Sequence, residues 1–90
     1  MKSFKLIVST PNGNVFEEQI NELSVRGSEG SLAVRANHVP FITAIKAGEL
    51  KIYDSNDDEA LYQISDGLLT VAKESTTILC GYMNKINQEN

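Results

Sequence analysis

The chain has no tryptophan, one cysteine, one histidine and two prolines in 90 residues, and each shortage removes a class of protein. A lone Cys80 cannot close an internal disulfide, and Cys80 with His38 falls short of a zinc ligand set, so no metal site is expected. Cys80 is read as a small core residue. His38 would have to be the base of any nucleophilic hydrolase, yet no G-x-S-x-G elbow accompanies it. It is read instead as a turn or surface histidine whose ring bonds to nearby backbone. Basic residues are scarce and scattered, eight against 12 acidic, and the net charge of −4 disfavours nucleic acid, whose binding rests on neutralising phosphates. No apolar run approaches the ~18 residues that cross a bilayer. "LIV" at 6–8 runs straight into "STPNG", leaving no signal-peptide core. A cytoplasmic, soluble chain without direct membrane insertion is the expectation. Two further signatures are missing. The "GSEG" loop at 27–30 lacks the Lys-Ser/Thr of a phosphate loop, and "NDDE" at 56–59 lacks the spaced ligands and central glycine of a calcium loop. No catalytic residue and no cofactor is expected.

What the chain does have is short alternating segments. Ninety residues make one domain that hides roughly 60–65% of its unfolded surface, and 41% hydrophobic with 22% charged residues is ordinary globular usage. Phe4, Leu6 and Val8 alternate with Lys5, Ile7 and Ser9 and point one face of a first strand inward. "PNGN" at 11–14 supplies turn chemistry, and a second short strand follows in "VFEEQ". Leu23 with Val25 forms a third segment, ended by "GSEG", and Leu32 with Val34 a fourth. Pro40 argues against a helix through 36–46. Leu50 and Ile52 begin a hairpin whose polar tip "DSNDDE" leads to "ALYQIS". "DG" at 66–67 reverses the chain again, and "LLTVAKE" and "TTILCGY" close the series, with Ile78, Cys80 and Tyr82 on one face of the last strand. Many short strands at this spacing predict an all-β sandwich or barrel. The sandwich is expected over residues 1–83. The nearly wholly polar "NKINQEN" at 84–90 is expected to be a tail or the start of a linker.

The stretch "GSEGSLAVRANHVPFITAIKAGELKI" at 27–52 resembles the N-terminal domain of the epsilon subunit of rotary ATP synthases. In that family a G-S-E-G turn, an H-x-P element and a Leu/Ile-T-A-hydrophobic-K-x-G run recur in this order. "STPNGNVFEE" is similar to the family's T-P-x-G-x-V-F-E opening, and "ISDGLLTVAKESTTIL" to its glycine-pair and T-I-L runs, so the likeness covers nearly all of residues 3–80. It implies a β-sandwich of about ten short strands. Departures mark an atypical or truncated member: Arg26 replaces a small residue or proline, Ser31 an acidic residue, Ala33 a glycine, "RAN" at 35–37 a hydrophobic-P-G, and Asp66 a glycine.

The resemblance implies a non-catalytic central-stalk subunit that couples the gamma subunit to the membrane ring of c subunits during proton- or sodium-driven ATP synthesis. Such a subunit sits peripherally at the cytoplasmic face of the cell membrane. Carried over by position, Gly27, Ser28, Glu29, Gly30 and Ser31 form the ring-facing turn, with Glu29 placed to pair with a basic residue of a c-subunit loop. Thr10, His38, Phe41, Ile42 and Thr43 match positions toward gamma. The family's C-terminal helical hairpin has no counterpart in these residues, so neither regulation nor nucleotide binding is expected. The alternative class is a small β-barrel ligand-binding module unrelated to ATP synthase.

Overall fold

A computed structural model describes residues 2–86. The described residues contain nine strands: β1 (Phe4–Thr10), β2 (Gly13–Gly27), β3 (Gly30–Arg35), β4 (Phe41–Ile45), β5 (Gly48–Asp54), β6 (Glu59–Ile64), β7 (Gly67–Val71), β8 (Ser75–Cys80) and β9 (Met83–Lys85). They build two layers that share β2. One layer runs β4-β7-β8-β1-β2 and the other β3-β2-β5-β6-β9. Counting β2 in both gives the ten strand positions of the expected sandwich. All pairings are antiparallel except β1 with β8.

Two segments expected as separate strands, "VFEEQ" and the one carrying Leu23 and Val25, are a single 15-residue strand. Its apolar phase shifts at Ile20-Asn21, where two consecutive residues are buried. The register with β5 slips between Ile20 and Glu22. A bulge lets backbone pairing continue while the inward face changes, so β2 turns the corner between layers instead of ending. The buried Asn21 amide is satisfied there: its Nδ2 donates to Asp57 Oδ1 at 2.8 Å.

Inward positions read from alternation supply much of the core, with Leu6, Val8, Leu23, Val34, Leu50 and Ile78 all at 0% exposure, and Ile64 and Leu69 join them at 0–1%. Cys80 joins them, as expected. Tyr82 does not. β8 ends at Cys80, Gly81 N donates to Ser65 Oγ at 2.6 Å, and this break in alternation leaves Tyr82 exposed. The last strand is β9, which adds Met83–Lys85 to β6. Residues 84 and 85, expected to begin a tail, therefore lie in the sheet, and Ile86 N donates to Leu61 O. The rest of that segment, 87–90, lies outside the described residues.

Candidate functional site

The "GSEG" stretch is a tight hairpin between β2 and β3. Gly27 pairs with Gly30, which leaves Ser28 and exposed Glu29 at the tip. The two glycines serve different needs. Gly30 has φ +125°, a backbone most side chains resist, whereas at Gly27 an added Cβ would press on Gly30 O at 3.2 Å. The exposed carboxylate is thus held outward by backbone geometry.

The hairpin runs beside β4, since Gly27 also pairs with Ile45. Residues 27–32 and 41–43 line one open groove of about 360 Å³. Two groups assigned by position to different partners are therefore neighbours. Within β4, Phe41 packs against the core while Ile42 faces out at 66% exposure. Thr43 is half-buried on the inward side. His38 stands just before β4, with Nδ1 donating to Val39 O at 2.8 Å and its ring centroid 5.0 Å from that of Phe41. This is the backbone-bonded turn histidine expected from sequence. Thr10 is at the opposite end of the layer, where β4 finishes. Its Oγ1 accepts from Asn12 N and donates to Gly13 O, which closes the β1–β2 turn.

A larger feature was not read from the sequence. On the outer face of the first layer, Ala44, Leu68, Leu79 and Ser9 stand in register across β4, β7, β8 and β1. The next outward row is Ile42, Thr70, Thr77 and Ile7. Neither row contains a charge. Ile42, Leu68 and Leu79 are 66%, 40% and 49% exposed, a contiguous apolar strip of the kind that marks interaction surfaces. Charges border the strip, with exposed Lys46 and Asp66 two residues from Ala44 and Leu68, and where β1 meets β2 Lys5 Nζ lies 2.8 Å from Glu17 Oε2 and holds that carboxyl below its ordinary pKa.

The other side chains flagged by sequence are structural. In the "DSNDDE" tip Asp54 Oδ1 accepts from Asn56 N and Asp58 N, and Asp57, at φ +64°, reaches back to Asn21. Burial pushes the Cys80 thiol above its ordinary pKa, which disfavours the reactive thiolate. No group of three or more metal-ligating side chains is found among the described residues, and no described helix is long and apolar enough to cross a membrane.

With this geometry in hand, comparison with known proteins is specific. Residues 3–84 match the family described as ATP synthase, Delta/Epsilon chain, beta-sandwich domain. The sodium ion specific ATP synthase epsilon chain of Propionigenium modestum is 40% identical over 79 residues, covering 88% of this chain and 57% of that protein. The ATP synthase epsilon chain of Bacillus pumilus is 34% identical over 79 residues, covering 88% and 60%. This chain therefore spans under two thirds of the length of these curated relatives. Among solved structures, a chain of the Euglena gracilis mitochondrial ATP synthase (OSCP/F1/c-ring) superposes with TM-score 0.86 at 19% identity, covering 92% of this chain and 53% of that one. A chain from the central stalk/c-ring of the Tetrahymena thermophila mitochondrial ATP synthase gives 0.74 at 16% identity, covering 91% and 66%. These two likenesses speak for the fold.

Proposed function

The chain belongs to the ATP synthase delta/epsilon-chain β-sandwich family, and from that premise we propose that it is a non-catalytic rotor-stalk subunit coupling the gamma subunit to the ring of c subunits. Its place is then at the cytoplasmic face of the membrane, peripheral, within the ATP synthase complex. The coupling ion is a proton or sodium, and the sodium ion specific relative puts sodium first among those to test.

The observation that carries this reading is the uncharged strip formed by Ile42, Leu68 and Leu79 on a rigid sheet beside the Glu29 hairpin. An apolar strip on paired strands supplies desolvated anchors for a permanent partner, which we take to be gamma. An exposed acidic tip suits a weaker, salt-dependent contact, which we take to be the ring, with residues 27–31 as its footing. Thr10, His38, Phe41, Ile42 and Thr43 remain the positions proposed toward gamma. Ile42 leads among them because it is the large apolar side chain that β4 turns outward, between half-buried Phe41 and Thr43. The alternative of an unrelated ligand-binding barrel finds no support in the family match.

The test is affinity of the full chain for gamma. Leu68→Asp and Leu79→Asp place charges at exposed positions, so the melting temperature should hold within a few degrees. Each should weaken gamma binding by roughly 30-fold or more, the scale of an interface anchor. Unchanged affinity in both variants would move the gamma contact off this face.

A further inference from the structure

Arg26 and Lys46 line one polar notch of about 220 Å³ together with Ser28 and Ser31. Arg26 stands outward on β2 opposite Ser31 of β3. Lys46 N donates to Arg26 O at 2.9 Å, so the two cationic side chains leave from tethered backbone. Gly48 lies under the guanidinium: a Cβ there would sit 3.9 Å from Arg26 Nε. Three of the chain's eight basic residues, Lys5, Arg35 and Lys51, are spent in ion pairs. Arg26 and Lys46 form none among the described residues, although acidic residues outnumber basic ones. Two unneutralised cations at one notch repel each other, and an anion between them relieves that repulsion. A guanidinium fork, an ammonium and two hydroxyls match the acceptor geometry of a carboxylate.

We propose that this notch receives a carboxylate side chain from the protein surface that meets the 27–31 hairpin. The inference rests on the reading that the hairpin faces the c-ring. It makes the footing bipolar: Glu29 offers an anion to the ring and Arg26 with Lys46 offers a cation pair, so register as well as attraction is set. An anionic lipid surface is the poorer occupant. Glu29 lies at the hairpin tip and Glu49 lines the adjoining notch with Arg26, and with the net charge of −4 they repel an extended negative sheet, while a single carboxylate can pass between them.

The experiment measures binding of the full chain with gamma to detergent-purified c-rings of the same organism at low and high salt. Arg26→Ala combined with Lys46→Ala should weaken binding on the order of tenfold at low salt, with the difference shrinking at high salt. Lys73→Ala, in the β7–β8 turn, should leave it unchanged. Replacing the acidic residues of the ring loops with their amides should reproduce the loss, and should add nothing to the double variant. Equal binding by wild type and double variant, or additive losses, would overturn the proposal. So would binding to phosphatidylglycerol-containing vesicles that needs Arg26 and Lys46 while the ring amides have no effect. If the wild-type chain with gamma does not bind rings at all, the ring-facing reading falls and takes this inference with it. Wild-type binding with an indifferent double variant removes this inference alone.

Discussion

At Gly67 an added methyl group would collide with the backbone carbonyl of Leu79 and come within 3.1 Å of Cys80 Cβ. The neighbour is a paired strand that cannot step aside, because Gly67 lies opposite Cys80 in the β7–β8 ladder. Gly67→Ala should therefore cost about 2–4 kcal/mol, an overpacking penalty. Gly13 is the contrast. Nothing lies within 4 Å of a Cβ there, but φ is +109°, so Gly13→Ala should cost only about 1 kcal/mol of backbone strain. Urea unfolding of both variants checks the order, and a milder effect at Gly67 would mean that β8 can shift. Both glycines are visible in sequence as turn residues. Only the register shows that one guards a close approach and the other a positive φ.

Among the elements, the strands of alternating sequence were legible and the corner strand was not. Phe16 and Ile20 occupy even positions and Leu23 and Val25 odd ones, so the phase change is written in the sequence. A phase change alone does not distinguish a loop from a bulge. What decides is whether backbone pairing continues, and β5 supplies that pairing from 30 residues further on. Strand β9 was missed for another reason: of "MNK" only Met83 is apolar, and the segment is a strand because β6 offers it an edge. The bulge carries a prediction of its own. Asn21 is 4% exposed and its amide donates to Asp57 in the distant β5–β6 turn, so this bond fixes the corner against the hairpin tip. Asn21→Ala should cost about 1.5–3 kcal/mol, the range for a hydrogen bond to a charged group. Asp57→Asn should lose much less, since an amide oxygen still accepts and asparagine tolerates the +64° φ. Equal losses in the two variants would show that the carboxylate charge matters rather than the hydrogen bond.

For the molecule as a whole, the family and the 27–31 turn were legible because turn residues and spacing are local. The apolar strip was not, because it exists only after four strands fall into register. "GLLTV" reads as a buried run, and alternation cannot say which of Leu68 and Leu69 faces outward until the β7–β8 pairing is known. The same non-locality governs folding. β1 pairs with β2 on one side and with β8 on the other, joining Lys5 to Ser75, and it puts Leu6 and Val8 into the core at 0% exposure. β2 pairs with β1 through its first half and with β3 and β5 through its second, and its last residue pairs with β4, so the two layers share a strand and neither can complete its hydrogen bonding or bury its inner face without the other. Loop-closure entropy for so distant a pairing must be met before its contacts form. The full chain should therefore unfold in one cooperative step and refold in milliseconds to seconds, with far-UV dichroism and tyrosine fluorescence giving coincident transitions. Leu6→Ala, on the closing strand, should lower stability by about 2–5 kcal/mol without splitting that transition. Two separated transitions, in the wild type or in Leu6→Ala, would mean that one layer holds together alone and that β1 is an accessory to the sandwich rather than its closure.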